Sequence, residues 1–344
     1  MKKIKFIFLT PIIILICFSV SCSKKQNDLY INNDIPPISN ENSELKFHII
    51  DVGQGSASLV ELPNERLVLI DSGNDQTKFK NYIINFFNSN QQYNNTFDYF
   101  ITSHPDSDHI ASAKWIYDNY QVNHSYLPSI SISSEMNLVD IENTKPLEVK
   151  DTVGYRNLFH SAISEKNSIW EYTDESDIND LFNSEDKNLE IKIYTDHIKY
   201  SDSNNYSPII TFTYNNKTIL ISSDAEKEKE INMASIIPQL EVDAYIMGHH
   251  GSYTSSGYEL LEKIKPSHAF YSSYDPNGTK YGHPRIESLK RVDEYVNSGA
   301  IYGTEFNGNM HLMIDGSNFA INNGDSYIKT ISGWTAKNGT RENI

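Results

Sequence analysis

The chain of 344 residues contains, at residues 97–109, the stretch Phe97-Asp98-Tyr99-Phe100-Ile101-Thr102-Ser103-His104-Pro105-Asp106-Ser107-Asp108-His109. Its first half is apolar enough for a buried strand, and its last six residues include two histidines and two aspartates. A strand that ends in such a cluster brings nitrogen and oxygen donors to one point, as a divalent metal requires. The stretch therefore predicts a metal site at a strand end rather than an ordinary solvated turn.

Further donors follow apolar runs later in the chain. Asp224 comes after a run of aliphatic residues, His249 and His250 end another run, and His283 lies beyond the next one. Several donors at the ends of successive strands are more specific than one histidine–aspartate string, so we expect them to converge.

The first residues have the pattern of an export signal. A basic start precedes an apolar run over residues 7–18, and the small residues Ser19-Val20-Ser21 then precede Cys22. This order is typical of a lipoprotein signal peptide over residues 1–22, with Cys22 as the lipidated residue, although Ser19 stands where leucine is usual. We therefore expect a lipid-anchored protein on the extracellular face of the membrane; an uncleaved membrane anchor is the alternative. The only other cysteine, Cys17, lies in the signal, so the exported part has no thiolate metal ligand.

Composition divides the rest of the chain into a tether, a folded body and a tail. Residues 23–44 are polar and lack periodicity, as in a flexible tether. Residues 45–330 alternate apolar runs with turn residues and indicate one folded domain. Within it, residues 131–190 are acidic and polar with only short apolar clusters, and we interpret them as a loop-and-helix insertion over the site that could act as a substrate lid. Residues 331–344 form a tail.

The pattern of elements favours a layered α/β sandwich. Hairpins are predicted at Pro63-Asn64 and at Asn215-Asn216, and amphipathic helices over residues 79–87, 110–120, 226–237 and 258–264. Two β-rich halves, each followed by helices, suggest two sheets that each have helices on one face.

The sequence resembles the metallo-β-lactamase superfamily, and most closely the extracellular hydrolase domain of ComEC-type DNA-uptake competence proteins. The resemblance covers residues 45–315 and rests on motifs in the family's order: Phe47-His48-Ile49-Ile50-Asp51-Val52-Gly53-Gln54-Gly55, Leu69-Ile70-Asp71-Ser72-Gly73, Ser103 to Ile110, Asn204-Asn205-Tyr206-Ser207, Ile221-Ser222-Ser223-Asp224, Gly248-His249-His250-Gly251-Ser252 and Tyr281-Gly282-His283-Pro284. It implies a four-layer αββα fold with a site for one or two divalent ions, zinc or manganese, at one edge.

The resemblance also implies a division of the ligands. His104 and Asp106 would hold one metal, Asp108 and His109 the other, and Asp224 would bridge them. Asp106 stands where many members have a second histidine, and a further histidine is usual in the region of Asn204.

A neutral amide such as that of Asn204 binds a divalent cation less well than an imidazole does, so we expect the first position to be the weaker one, suited to a hard ion such as manganese. The later histidines leave alternatives open. By analogy with phosphodiesterase relatives, His283 is the last ligand, and His250 or His249 donates a proton or contacts phosphate; ligation by His249 or His250 is the other possibility.

The expected chemistry follows from this arrangement. A bound metal lowers the pKa of water, Asp108 orients that water if it is not fully engaged as a ligand, and the His249-His250 pair stabilises the leaving oxygen. Asp51 and Asp71 are expected to fix loops beneath the site through hydrogen bonds to the backbone.

Three functions are consistent with these features. The first is a metal-dependent phosphodiesterase or nuclease, and the second is an esterase for a cell-envelope phosphoester of the phosphocholine type. The third is a non-catalytic binding lipoprotein, which the retained donors argue against. The formal charge of −16 argues against tight non-specific binding to duplex DNA. The expected partners are therefore a phosphoester substrate, single-stranded DNA or an envelope polymer, and the membrane through the lipid; no protein partner is predictable. β-Lactam hydrolysis is the least favoured activity, because Asp106 stands where many superfamily members have the second histidine of the motif.

Overall fold

The structure is a computed structural model, which describes residues 43–131, 148–150, 152–173, 186–273, 282–297, 300–322, 334–337 and 340–343. By its contacts the chain divides into residues 1–36 and 37–344, and all described residues belong to the second unit. Cys22, the signal and most of the tether lie outside the described residues. No helix in the described part of the chain has both the length and the hydrophobicity to cross a membrane.

The described part of the chain alternates strands with short helices. In chain order the strands are β1 (Glu44–Ile49), β2 (Ser58–Glu61), β3 (Leu67–Ile70), β4 (Thr96–Ile101), β5 (Gln121–Leu127), β6 (Ile130–Ser131), β7 (Glu148–Val149), β8 (Ile169–Tyr172), β9 (Leu189–Tyr194), β10 (Ile209–Tyr214), β11 (Lys217–Ile221), β12 (Ala244–Ile246), β13 (His268–Tyr271), β14 (Ile301–Gly303), β15 (Met310–Asp315), β16 (Asn318–Asn322), β17 (Trp334–Lys337) and β18 (Thr340–Asn343). The helices are α1 (Gln76–Ser89), α2 (Ser107–Ile110), α3 (Ala113–Asn119), α4 (Val153–Ser164), α5 (Lys227–Ile236), α6 (Tyr258–Ile264), α7 (Ile286–Asp293) and α8 (Thr304–Asn307), and 3-10 turns cover Gln91–Tyr93, Ser203–Tyr206 and Gly248–Gly251.

Two large sheets form the centre of the fold. The first has the strand order β16-β15-β1-β2-β3-β4-β5-β8, and the second has the order β14-β13-β12-β11-β10-β9. Strands β3, β4, β5 and β8 are parallel, as are β11, β12, β13 and β14. Since the carboxyl ends of parallel strands lie at the same edge of a sheet, the loops after β3 and β4 meet at one edge, and those after β11 and β12 at another.

Apolar residues occur on both faces of the sheets, because each sheet is covered on both sides. On β3, Leu67 and Leu69 pack toward helices α1, α3 and α4, whereas Val68 and Ile70 pack between the two sheets. Strand β11 alternates likewise, with Leu220 facing helices α5, α6 and α7. This two-residue period builds three apolar layers between four structural layers, which is the predicted αββα sandwich.

Local sequence explains the turns that fix the register. Asn215 and Asn216 adopt left-handed backbone conformations, with φ of 48° and 66°, and pair β10 with β11 so that Tyr214 faces Lys217. Asparagine tolerates this conformation, and two such residues form the tight turn that suits twisted antiparallel strands. The hairpin predicted at Pro63-Asn64 is also present, joining β2 to β3.

Parts of the predicted insertion and tail are regular structure. Helix α4 buries Tyr155, Leu158 and Phe159 against the first sheet, and β8 extends that sheet beside β5. The short apolar clusters within residues 131–190 thus form a helix, as predicted for this insertion, and a strand that the sequence did not predict. Residues 132–147 and 174–185 lie outside the described residues. In the tail, β17 pairs with β18.

Candidate metal centre

The donors predicted from the sequence meet where loops of the two sheets face each other. His104 and His109 follow β4 of the first sheet, whereas Asp224 follows β11 and His250 follows β12 of the second sheet. His104, His109, Asp224 and His250 are buried, and Asp108 is half-buried beside them. The donors form two groups, and within each group all the donor atoms lie within 4.8 Å of one another. One group is His104, His109 and Asp224; the other is Asp108, His109 and His250.

Neighbouring acceptors fix which ring nitrogen each imidazole presents. The Nδ1–H of His109 donates to Asp71 Oδ2 at 2.7 Å, and the Nδ1–H of His250 donates to the carbonyl oxygen of Ser272 at 3.0 Å. The Ser103 hydroxyl donates to Asp71 and accepts from Nδ1 of His104 at 3.0 Å. In each ring the Nε2 lone pair is therefore left to bind a metal.

The spacing of these atoms fits a metal ion. His109 Nε2 lies 3.3 Å from His250 Nε2 and 3.1 Å from Asp224 Oδ1, and His250 Nε2 lies 3.4 Å from Asp108 Oδ2 and 3.5 Å from Asp224 Oδ2. Around an ion bound tetrahedrally at about 2.0–2.1 Å, neighbouring ligand atoms lie about 3.3–3.4 Å apart.

A second observation agrees with the spacing. The Nε2 atom of His104 is buried and has no hydrogen-bond partner among the residues that the structure describes. Buried polar atoms normally find a partner, so this atom faces a place for a cation. The donor set, imidazole and carboxylate, suits a zinc or manganese ion.

Electrostatics keep the carboxylates of Asp224 and Asp108 ionised and the His104 ring neutral, as binding of a cation requires. Burial would raise the pKa of Asp224, but the charges of His109 and His250 hold it well below its usual range. Burial likewise opposes ionisation of Asp108, yet a hydrogen bond from His250 and the charge of His109 lower its pKa. For His104, burial and the neighbouring His109 lower the pKa to about 4, so the ring is neutral at pH 7.

Left-handed backbone conformations hold several of the loops in place. Asp71, Ser223, His249 and His250 have φ of 59°, 44°, 48° and 55°. Such conformations cost of order 1–3 kcal/mol each in non-glycine residues and persist where the surrounding structure over-determines them. Gly55 packs against the backbone of Asp108. A Cβ atom at residue 55 would lie 2.5 Å from the carbonyl oxygen of Asp108, so a larger residue would displace this loop.

A cavity of about 450 Å³ opens onto the donors, and its lining includes Asp108, Asp224, His249, His250 and His283. This volume suits a small-molecule or nucleotide-sized substrate. The His283 ring lies with its centre 5.4 Å from that of His249, outside both donor groups, so its role as a ligand stays a prediction.

His249 differs from the other imidazoles in its environment. Its Nδ1 lies 3.3 Å from Glu226 Oε1, and its Nε2 lies 3.7 Å from Asp224 Oδ2. Burial opposes the charged form, but Asp224 and Glu226 raise the pKa of His249 above its usual value. A protonated imidazole that lines the cavity can donate a proton to a substrate oxygen.

Comparison with known proteins identifies the family of the chain. A sequence model of the metallo-beta-lactamase superfamily matches residues 50–273, which is more than half of the chain. The chain belongs to the metallo-beta-lactamase superfamily. Among curated proteins it is 24% identical over 282 residues to ComE operon protein 3 of Bacillus subtilis (strain 168), covering 77% of this chain and 32% of that protein.

A second curated relative is Recombination protein 2 of Haemophilus influenzae (strain ATCC 51907 / DSM 11121 / KW20 / Rd), 24% identical over 256 residues, covering 74% of this chain and 27% of that protein. This superfamily member thus spans about a third of the length of these relatives. Among solved structures, the metallo-beta-lactamase fold protein YhfI from Bacillus subtilis is similar with a TM-score of 0.45 and 12% identity, covering 76% of this chain and 96% of that chain. Superfamily membership and the donor cluster together support a metal-dependent hydrolase.

Besides His249 and His283, two predicted residues of this metallo-beta-lactamase domain, Asp106 and Asn204, lie outside the donor groups. Asp106 has its Oδ2 atom 4.0 Å from His104 Nε2 but is engaged on its other oxygen by Lys150. Asn204 is buried in a 3-10 turn and hydrogen-bonds to Glu226.

The two predicted supporting aspartates hold backbone groups as expected. Asp51 accepts a hydrogen bond from the N–H of Gly53 at 3.0 Å and pairs with Lys78 at 2.7 Å. Asp71 accepts from the N–H of Ser103 at 2.8 Å.

Sequence reasoning missed the residues that orient or surround the donors. Ser103 precedes the first histidine directly, and this position was a usable signal. Lys150 had none, because it lies in a polar segment far from every motif, and its place in the cavity follows only from tertiary structure.

Proposed function

We propose that the protein is a metal-dependent phosphodiesterase, held by a lipid on Cys22 at the extracellular face of the membrane. The observation that carries the proposal is the close approach of Asp108, His109, Asp224 and His250, with four donor-atom distances of 3.1–3.5 Å. These side chains would hold a zinc or manganese ion. When bound, such an ion supplies Lewis-acid chemistry, which polarises a phosphoryl oxygen and makes water more acidic.

The residues of the chain supply the remaining steps. His109, whose ring is oriented by Asp71, and Asp224 would hold the ion beside the cavity in which the reacting phosphate binds. Asp108 is half-buried at the cavity and accepts a hydrogen bond from the attacking water with its free oxygen. As the water oxygen bonds to phosphorus, the water loses a proton to solvent and the bond between phosphorus and the leaving oxygen breaks. His249 donates a proton to that leaving oxygen, and the adjacent Glu226 keeps the imidazole protonated.

A single strand of nucleic acid is the substrate that the relatives favour, since one of them carries the name Recombination protein 2. The charge of −16 supports a second candidate, a small phosphoester of the cell envelope, because an acidic protein repels a long polyanion. The two candidates share the metal centre and differ only in the group beyond the phosphate.

Metal content and hydrolysis of bis-p-nitrophenyl phosphate test the proposal. We expect Asp224→Ala and His109→Ala to lose the metal and at least about 10³-fold in kcat/KM, since the ion stabilises the transition state by several kcal/mol. His160→Ala, on an exposed position of α4, is the control and should behave as wild type. A variant at Asp224 that keeps metal and turnover would refute the proposal.

Substrate and location need separate measurements. Rates on a single-stranded oligonucleotide and on a phosphocholine ester rank the two substrates, and no turnover on either by metal-loaded protein points to a binding lipoprotein. Lipid attachment is tested by Cys22→Ala, which should release the protein from the membrane fraction.

A further inference from the structure

The carboxylate of Asp106 is held by a lysine from a distant part of the chain. Lys150 Nζ donates a hydrogen bond to Asp106 Oδ1 and another to the hydroxyl oxygen of Ser203 at 2.9 Å. The Ser203 hydroxyl in turn donates to Asp106 Oδ1 at 3.3 Å. The side chains of Lys150 and Asp106 are 30% and 39% exposed, so water only partly screens the pair.

Asp106 is one of the two residues expected at the first metal position. Its Oδ2 atom lies 4.0 Å from His104 Nε2, but Asp106 belongs to neither group of converging donors. The region that would supply a third ligand carries Asn204, whose side chain hydrogen-bonds to Glu226 instead. The ammonium group of Lys150 neutralises the Asp106 carboxylate and would repel a divalent ion beside it.

The two donor groups are not two independent sites. Both include His109, whose Nδ1 donates to Asp71, so that only Nε2 remains to bind a metal. One imidazole nitrogen has one lone pair and binds one ion. A second ion would therefore depend on His104, on Asp106 and on Asp224, which would have to bind both ions. Lys150 contacts Asp106, one of these three residues.

We propose that Lys150 takes the place of the first metal ion, so that the centre binds one divalent ion, at Asp108, His109, Asp224 and His250. The inference rests on the proposed metal centre and deepens it. Lys150 also lines the cavity, and its ammonium is the second positive charge beside the substrate phosphate.

Metal stoichiometry of the full chain in detergent tests this assignment. Metal-free protein is dialysed against increasing zinc or manganese, and bound metal is counted by mass spectrometry. We expect one equivalent in wild type and in Lys150→Arg. In Lys150→Met, a second equivalent should bind with a dissociation constant at least tenfold lower than in wild type.

Two controls separate the ion pair from general effects. Lys114→Met removes a surface lysine that pairs with Asp118, and it should match wild type. Asp106→Asn in the wild-type background should keep its one equivalent within about threefold in affinity, because Asp106 is not a ligand there. The double variant Lys150→Met/Asp106→Asn should lose the second equivalent again.

Two results would overturn the assignment: two equivalents of similar affinity in wild type, or an unchanged second dissociation constant in Lys150→Met. In either case a wild type that binds metal and hydrolyses phosphodiesters leaves the proposed function standing. No bound metal in wild type would overturn the proposed function as well.

Discussion

At the residue scale, the candidate centre depends on the groups that accept hydrogen bonds from the imidazoles as much as on the ligands themselves. Asp71 is fully buried and accepts from His109 Nδ1, from the Ser103 N–H and from the Ser103 hydroxyl. One carboxylate thus orients His109 directly and His104 through Ser103. Such partners keep an imidazole in the tautomer that binds metal.

We predict that Asp71→Asn weakens metal binding by about 10–100-fold, because the amide is uncharged and directs an N–H toward one of its donors. Competition with a chromogenic chelator measures the dissociation constant. Asp75→Asn is the matched control: Asp75 caps α1 through the N–H groups of Thr77 and Lys78, and because asparagine caps a helix about as well as aspartate, the variant should change neither stability nor metal affinity appreciably. Equal losses of affinity in both variants would contradict the role of Asp71.

Residue-level prediction worked where chemistry is local in the sequence. His104 and His109 lie five positions apart, shortly after a strand, and the loop between them can bring both rings to one point. Lys150 reaches Asp106 from 44 residues further along the chain, and His250 reaches His109 across 141 residues. No spacing rule specifies such contacts, because they arise from how the layers pack.

At the element scale, Glu230 joins two helices of the outer layer. It lies on α5, and its two carboxylate oxygens accept from the N–H of Ser256 at 2.8 Å and of Gly257 at 2.6 Å, just before α6 begins. Burial raises the pKa of Glu230 to about 7 even though these N–H groups favour the charged form. The carboxylate of Glu230 therefore pairs with the backbone N–H groups at the start of α6, although its burial makes ionisation of this side chain costly.

The sign of the pH effect follows from this shift. The pKa is higher in the folded state, so the folded state binds the proton more tightly, and that stabilisation is lost as pH rises through about 7. We predict that, between pH 5 and pH 8, wild type loses about 2–3 kcal/mol more unfolding free energy than Glu230→Gln does. Urea unfolding at four pH values measures this, with Glu228→Gln, exposed on the same helix, as the control. Parallel pH profiles for wild type and Glu230→Gln would count against the prediction.

Elements with strong local signals were predictable and the others were not. The asparagine pair at 215–216 fixes the β10–β11 hairpin through backbone preference alone. Helix α4 and strand β8 have only a few apolar residues amid polar ones, and they are stable because the first sheet offers them a surface. The predicted helix over 110–120 corresponds to α3, which begins only at Ala113, because the backbone turns at Ala111 and Ser112 after the separate helix α2 ends at Ile110.

At the scale of the whole molecule, the donors bridge the two sheets. His109 is attached to the first sheet, whereas Asp224 and His250 are attached to the second. An ion bound by all three crosslinks the halves of the sandwich in the folded state and has no comparable site in the unfolded chain. Metal binding and folding are therefore linked.

We predict that removing the metal with a chelator lowers the melting temperature by roughly 5–10 °C. This corresponds to about 2.7 kcal/mol of stabilisation at a free metal concentration 100 times the dissociation constant. Thermal unfolding followed by circular dichroism, with and without added zinc or manganese, measures it. Asp224→Ala should melt at the same temperature in both conditions, and an equally large shift in that variant would show that the ion acts elsewhere.

The sharing of the centre between two sheets also orders events during synthesis. When the ribosome has completed the strand that delivers His109, more than a hundred residues must still emerge before Asp224 and His250 exist. Until then, the growing chain carries only the first half of the ligand set, which holds an ion weakly. A chain truncated before Asp224 would fold no complete centre, so metal uptake and hydrolysis begin only once both halves of the domain have been made and have docked.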